Sequence, residues 1–216
     1  MLYKIAHILR DKLSWLWNII EWINGVLFYM RYGRRVNNLN ANLLETLREQ
    51  ATGGRTNHKN VVPEGYELVT MRNVLTDDLV RFFDHQPEEA YTYFRPHGFD
   101  TKSIRLLQRN KAFLGYVLKD KTNGAIAGYC FNRCFFHGQG FRGRMVDIDY
   151  RGKGLGTAMN KILNEVGFGI GLRLFETVSK DNVASYRSAM SASNVKVVKE
   201  LEHNELYLEI LPEYLL

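Results

Sequence analysis

The residues with the clearest chemical potential form a glycine-rich turn between an apolar strand and a helix. Arg151 and Lys153 alternate there with Gly152, Gly154 and Gly156. Glycines let successive backbone N–H groups converge without interference from a Cβ atom, and the helix N-terminus and both cations add positive charge. The turn is therefore predicted to bind a phosphate or pyrophosphate group. The same residues would also fit a basic, flexible helix start without a ligand.

Two common nucleotide-binding motifs fit this turn poorly. It lacks the Gly-Lys-Ser/Thr sequence that a P-loop requires. It does not lie near the start of an alternating strand–helix array, as the phosphate-binding turn of a Rossmann fold does. A P-loop nucleotidase and a Rossmann enzyme are therefore disfavoured.

Alternating and helical apolar patterns place the turn within a longer series of elements. Strands are predicted over residues 66–71, 111–118, 125–136, 143–148, 172–178, 195–201 and 205–210. Helices are predicted over 76–84, 101–109, 155–166 and 182–190. This order predicts a mixed α/β domain with a largely central sheet.

The segment Arg151-Gly152-Lys153-Gly154-Leu155-Gly156 resembles the Arg/Gln-x-x-Gly-x-Gly/Ala motif of the GCN5-related N-acetyltransferases, the GNAT superfamily. The element order from about residue 64 to 212 is also similar to that family's, and Asn182-Val183-Ala184-Ser185 resembles its Asn-x-x-Ala/Ser motif. The resemblance implies a mixed, mostly antiparallel sheet flanked by helices, with acetyl-CoA as co-substrate and no metal. It implies a coenzyme site built from ten residues: Val146, Ile148, Arg151, Gly152, Lys153, Gly154, Gly156, Thr157, Asn182 and Ser185. The strand before the turn is expected to splay from strand 172–178, so that the pantetheine arm enters the gap and an N–H near Val146 polarises the thioester.

Acetyl transfer to an amine also needs a base, because a free primary amine is mostly ammonium at neutral pH. The candidates are Asp147, at the end of the strand that faces the thioester, and His97, in an aromatic loop over residues 91–99. Either side chain could instead have a local structural role. The family often places a general acid, a tyrosine, where this chain has Ala189, so Tyr186, Ser185 or water would have to serve. The Ser193-Asn194 pair also departs from the family's usual Gly-Phe.

Residues 1–50 are predicted to form an amphipathic helical extension, followed by a linker over 51–62 and the acetyltransferase-like domain over 63–216. Polar residues recur every three or four positions through residues 2–30, with all three tryptophans between 15 and 22 and basic residues on both sides. This helix could pack on its own domain or a second subunit, lie in a membrane interface, or span a membrane, although Glu21 and two asparagines disfavour the span. A second short helix is predicted over 36–50.

The charge distribution and the cysteines argue against nucleic-acid binding and against a metal site built from cysteine and histidine. Residues 1–60 carry nine basic and four acidic residues, a charge of +5, so the rest of the chain contributes only +1 of the total of +6. This local excess, in an apolar helix, does not predict nucleic-acid binding. Cys130 and Cys134 are predicted to be reduced core thiols, and the histidines at 7, 58, 85 and 203 are too scattered for a ligand set. We expect a cytoplasmic protein, peripheral at the inner membrane face if the helix binds lipid.

The sequence thus predicts an acetyl-CoA-dependent N-acetyltransferase acting on a small primary amine. An amino sugar of surface-polysaccharide synthesis is the favoured acceptor, because the loop pattern Phe94-x-Pro96-His97-x-Phe99 loosely resembles acetyltransferases of such pathways. Two alternatives stay open: a protein or peptide N-acetyltransferase, and a non-catalytic coenzyme-binding module tethered to a membrane or partner. Homodimerisation through residues 1–50 is a further expectation.

Overall fold

The computed structural model describes residues 14–51 and 61–212, which form a mixed α/β fold around one sheet. The seven strands have the order β1-β2-β3-β4-β5-β7-β6, and all neighbours pair antiparallel except β4 and β5, which are parallel. The predicted fold class is therefore confirmed. The strands are β1 (Tyr66–Thr70), β2 (Phe113–Asp120), β3 (Ile126–Cys134), β4 (Gln139–Val146), β5 (Arg173–Ser179), β6 (Asn194–Glu200) and β7 (Glu205–Leu211).

Within the described residues, five α-helices cover the sheet: α1 (Ser14–Ala51), α2 (Thr76–Asp84), α3 (Thr101–Arg109), α4 (Leu155–Gly169) and α5 (Val183–Ala192). Helices α1, α4 and α5 contribute to a first hydrophobic cluster on one face of the sheet. Helices α2 and α3 and the aromatic loop contribute to a second hydrophobic cluster on the other face. Alternate strand residues supply both clusters, so that Tyr116 belongs to the first and Val117 to the second. Both faces of the central strands are therefore buried.

The two cysteines lie on β3 and are fully buried. Burial raises the pKa of the Cys130 thiol to about 12 and raises that of Cys134 further. Both side chains are therefore neutral thiols within the core, as expected for structural rather than reactive cysteines.

Helix α1 is one continuous helix, so the predicted break before residue 36 is wrong. Phe28, Tyr32 and Val36 recur at four-residue spacing through the expected break, and all three are buried in the first cluster. This packing continues the helix through Gly33. Residues 1–13 and 52–60, and with them most of the predicted linker, lie outside the described residues. Within the described ranges, none of the helices is sufficiently long and apolar to cross a membrane.

The polar residues of α1 contact the domain, and many of its apolar residues do not. Asn24 is buried, where its amide donates to the Cys134 carbonyl at 2.9 Å and its Oδ1 accepts from the Phe136 N–H at 3.1 Å. Glu21 accepts from the Asn110 amide at 3.0 Å. The opposite side of the helix exposes large apolar residues, including Trp15, Trp22 and Met30. Helix α1 therefore differs from an ordinary surface helix in having apolar residues on both sides, since Phe28, Tyr32 and Val36 are buried against the domain as well.

Candidate active site

The parallel strands β4 and β5 separate beside the glycine-rich turn. They pair only at Gln139–Arg173, Gly140–Leu174 and Phe141–Phe175. Beyond that point β4 follows β3 as far as Val146, while β5 follows β7 as far as Ser179. A wedge-shaped gap therefore opens toward the C-terminal ends of both strands, as the family resemblance implied.

The backbone N–H of Val146 points into this gap. The Asp147 N–H donates to the Ala127 carbonyl beside β3 at 3.0 Å. Successive N–H groups along a strand point to opposite sides, so the Val146 N–H points away from β3 and toward β5. The Val146 N–H is therefore placed where it could donate to a thioester carbonyl, as predicted. The Ile148 N–H, two residues further along, instead donates to the Gln86 Oε1 at 3.1 Å.

The glycine-rich turn leads directly into α4 and is open. Gly152 and Gly154 have φ values of +77° and +75°, and a Cβ atom added at either would have no neighbour within 4 Å. Gly154 occupies the N-cap position of α4, where no side chain caps the helix. Arg151 and Lys153 are exposed, and the Lys153 ammonium lies 4.5 Å from the centre of the Tyr150 ring. The first amides of α4 are thus accessible to an anion beside two cations.

The second family motif forms the start of α5. The Asn182 side chain caps this helix, with its Oδ1 accepting from the Ser185 N–H at 3.1 Å. The Arg144 guanidinium of β4 donates to the Ser185 carbonyl and hydroxyl, at 3.1 and 3.3 Å. Both residues therefore help to fix α5 beside the gap, and their predicted contacts with the coenzyme stay predictions.

A buried ion-pair network connects β4 to β5 where the strands have separated. Glu176 Oε2 lies 2.7 Å from the Arg142 Nε and 3.3 Å from the Arg144 Nη1. Burial by itself would raise the pKa of the Glu176 carboxyl, but the two guanidinium charges outweigh it and the pKa is lowered. Arg142 also donates to Asn164 on α4. The network therefore holds both strands and the helix layer around the gap.

A cavity of about 580 Å³ lies on the other face of the sheet, next to the aromatic loop. It is lined by Phe83, Asp84, Gln86, Glu88, Tyr91, Arg95, His97 and Phe99. Gln86 connects it to the end of β4, since its Nε2 donates to the Asp147 Oδ2 at 2.7 Å. The cavity combines aromatic walls with carboxylates at Asp84 and Glu88, a composition that suits a cationic ligand.

His97 has the geometry of a structural histidine. Its Nδ1 lies 2.8 Å from the Gly98 carbonyl and its Nε2 lies 3.0 Å from the Tyr129 hydroxyl. The first nitrogen must donate, which leaves the second to accept from Tyr129. Burial lowers the pKa of His97 to about 4, and both ring nitrogens are engaged. These contacts do not favour the predicted role as general base.

Asp147 lies in a cluster of titratable groups at the end of β4. It is 5% exposed, and its Oδ1 accepts from the Asp149 N–H at 2.9 Å. The His85 Nε2 lies 2.9 Å from the Asp149 carboxylate. A ring nitrogen of His85 and one carboxylate oxygen each of Asp147 and Asp149 all lie within 4.8 Å of one another. The hydrogen bond to Asp149 and the charge of Asp147 raise the pKa of His85. His85, expected to be isolated, is therefore part of the site.

Tyr186, the candidate general acid, and Ala189, at the position where the family often has a tyrosine, both lie on α5. Tyr186 is half-buried and packs beside the first hydrophobic cluster, and Ala189 is fully buried. A side chain at position 189 would thus face the core. The role predicted for Tyr186 stays a prediction.

Sequence reasoning missed His85, Gln86 and Glu176. The first two follow α2 and precede their partners Asp149 and Asp147, just after β4, by 64 and 61 positions, and no local motif connects them. Glu176 did carry a signal, because it is the only charge between Leu174 and Val178 in an otherwise uncharged strand interior. A charge at such a position predicts a buried partner.

Comparisons with solved structures identify the fold. No protein-family model and no curated protein matches the sequence. The GNAT domain of S. lividans PAT superposes with a TM-score of 0.56 at 15% identity, over 68% of this chain and 89% of that one. A variant of the spermidine N-acetyltransferase SpeG from Vibrio cholerae gives 0.55 at 12%, over 69% and 94%. AAC(6')-Ib in complex with paromomycin and acetyl-CoA gives 0.52 at 14%, over 70% and 95%. The protein therefore has the GNAT fold.

Proposed function

We propose that the protein is an acetyl-CoA-dependent N-acetyltransferase that acts on a small, soluble primary amine. The observation that carries this proposal is the separation of β4 and β5 beside an open glycine-rich turn. The gap offers the Val146 N–H, and the turn offers the first amides of α4. This arrangement suits a long ligand with a diphosphate at one end and an acyl group at the other.

The residues present fit acetyl-CoA, which supplies an activated acyl group as a thioester when it is bound. Gly152, Gly154 and Gly156, with Arg151 and Lys153, would hold the diphosphate, and Thr157 lies in the same first turn of α4. The Val146 N–H would stabilise negative charge that develops on the acyl oxygen, as an oxyanion-hole donor does. Its strand position is fixed by the pairing of Val146 with Gly128.

The cavity near the aromatic loop would hold the acceptor. An amine enters as an ammonium ion, which the Asp84 and Glu88 carboxylates attract. The aromatic walls at Tyr91 and Phe99 suit the apolar face of a sugar ring, and an amino sugar is thus our proposed substrate class.

Asp147 is our candidate for the general base, and His85 for the group that passes its proton to solvent. Asp147 faces the acceptor side of the sheet, as Met145 does, and contacts the cavity residue Gln86. A proton taken up by a carboxylate that is 5% exposed needs an exit. The His85 side chain, within 4.8 Å and 54% exposed, provides one.

This relay predicts the pH dependence of the reaction. His85 must be neutral to accept a proton, and its pKa is raised above 6.5, so kcat/KM of the wild-type enzyme should fall as pH decreases through a value above 6.5. In His85→Gln this acid limb should move to lower pH. The pH–rate profiles of both proteins test the idea, and an unchanged acid limb in His85→Gln would contradict it. His203→Gln, in the turn between β6 and β7, is the matched control.

The test of the proposed function combines transfer and binding. The full chain is incubated with acetyl-CoA and a panel of amino sugars, polyamines and peptides, with release of free thiol and mass spectrometry of the acceptors as readouts. We expect acetylation of a small amine. Acetylation of peptides alone would favour the alternative acceptor class. Binding of acetyl-CoA by calorimetry without transfer to any acceptor would favour a non-catalytic module.

A glycine pair provides the matched variants. Gly154→Ala places a side chain in the left-handed region, which costs about 1–2 kcal/mol and shifts the amides of the turn, so we expect the Kd for acetyl-CoA to rise at least about tenfold. Gly124→Ala introduces the same strain in the β2–β3 turn, where φ is +73° and the surroundings are equally open. It should lose similar stability without weakening coenzyme binding. Equal effects on binding in the two variants would refute a specific role for the turn.

A further inference from the structure

Helix α1 presents a large apolar surface to solvent. The outward face of α1 comprises nine exposed residues: Trp15, Ile19, Ile20, Trp22, Ile23, Val26, Leu27, Tyr29 and Met30. The exposed fractions of Trp15, Trp22 and Met30 are 63%, 69% and 78%. The opposite side of the same helix, with Asn24, Phe28 and Tyr32, is buried against the domain. A contiguous apolar strip of this size on a helix already anchored by its other side indicates a further binding partner.

We propose that the outward face of α1 binds an anionic lipid surface, with the helix lying in the plane of the interface. Tryptophan is the residue that favours the headgroup level, and both exposed tryptophans lie on this face. The exposed Arg31 and Arg34 follow the strip, and the Lys111 ammonium lies 5.1 Å from the centre of the Tyr29 ring. Glu21 is the one acidic residue between positions 14 and 41, and it is engaged by Asn110. The rim of the strip is thus cationic, which complements phospholipid headgroups.

A second copy of the chain fits this face less well than a bilayer does. A second copy would bring the same arginines, and the one acidic residue between positions 14 and 41, Glu21, is already engaged by Asn110. A bilayer surface that contains anionic lipid supplies the opposite charge.

Lipid binding through this face would direct the candidate active site toward solution. Helix α1 crosses the end of the sheet where β3 ends, β4 begins and α4 ends, through contacts of Asn24 with Cys134 and of Arg35 with Ile170. Val146 lies at the other end of β4, about 26 Å away along an eight-residue strand. The open glycine-rich turn, at the other end of α4, has the same orientation. The enzyme would therefore be held at the membrane while it takes acceptors from solution.

Vesicle binding of the full chain tests the proposal. All three tryptophans lie between positions 15 and 22, so the intrinsic tryptophan fluorescence reports on this helix alone. With vesicles of phosphatidylcholine containing about one third phosphatidylglycerol, we expect co-sedimentation and an emission shift to shorter wavelength, both weaker with phosphatidylcholine alone and in high salt. Trp15→Ser/Trp22→Ser should weaken the partition coefficient at least about tenfold. Arg34→Gln should weaken binding to the anionic vesicles only.

Val197→Gln is the control, since Val197 is 49% exposed but lies on the edge strand β6, whereas α1 crosses the end of the sheet where β3 ends and β4 begins. It should bind vesicles as the wild type does, and circular dichroism checks that each variant keeps its helix content. Absence of sedimentation with the anionic vesicles would overturn the proposal. So would a dimer in analytical ultracentrifugation that Trp15→Ser/Trp22→Ser dissociates, because the face would then belong to a second copy. The activity assay with soluble amines is independent of both outcomes.

Discussion

Asp147→Asn is expected to lower kcat/KM for acetyl transfer at least about a hundredfold, the usual contribution of a positioned general base. Asparagine has nearly the same shape as aspartate but cannot take up a proton. Its Oδ1 can still accept from the Asp149 N–H, so the short 3-10 turn over Ile148–Tyr150 keeps its cap. The loss should therefore appear in kcat, measured at saturating acetyl-CoA and acceptor, while the Kd for acetyl-CoA changes by less than about threefold.

The control separates chemistry from helix capping. Asp100 also caps a helix, because its carboxylate accepts from the N–H groups of Lys102 and Ser103 at the start of α3. Asp100→Asn retains an N-capping residue and should leave kcat near the wild-type value. If Asp147→Asn retained full kcat with a lowered melting temperature, Asp147 would be a structural cap and the base would lie elsewhere. A kcat lost by both variants would point to misfolding of the acceptor side.

The geometry of the glycine-rich turn could be predicted from the sequence because its determinants are local. Positive φ angles at Gly152 and Gly154 and the helix start at Leu155 all arise within six consecutive residues. The apolar periodicity of α4 is equally local, and the structure buries Leu155, Met159, Ile162, Leu163 and Val166 as the pattern predicts. Features that depend only on neighbouring residues can therefore be predicted from a single sequence.

The acceptor side could not be read in the same way. Gln86 contacts Asp147, which is 61 positions later in the chain, and His85 contacts Asp149, which is 64 positions later. The type of His97 and its position in an aromatic loop predict a catalytic role, which stays a prediction. The sequence does not show that burial lowers the pKa of His97 to about 4 or that both ring nitrogens are engaged. Helix α1 needed the tertiary structure as well, because its sequence does not reveal that the side with Asn24, Phe28 and Tyr32 is buried while the side with Trp15, Trp22 and Met30 is exposed.

Glu176→Gln is expected to lower the free energy of unfolding by about 3–5 kcal/mol at neutral pH, as breaking a buried ion pair does. The variant removes the one anion that both buried guanidinium groups share, while the Arg142 and Arg144 charges remain between the separated strands. Chemical denaturation measures the change. The control is Glu200→Gln, which removes an exposed pair with Lys180 and should cost less than about 1 kcal/mol.

The pH dependence gives this prediction a second, independent readout. The pKa of Glu176 in the folded protein lies below its ordinary value of 4.5, so its ionised form stabilises the fold above that pH. This stabilisation is lost as pH falls through the lowered pKa. The difference in unfolding free energy between wild type and Glu176→Gln should therefore be largest at neutral pH and shrink below about pH 4.5. A difference that stayed constant into the acid range would show that the glutamate acts through its shape rather than its charge. Because the same carboxylate connects β4 to β5 across the gap, a charge effect on stability should be accompanied by weaker acetyl-CoA binding in Glu176→Gln but not in Glu200→Gln.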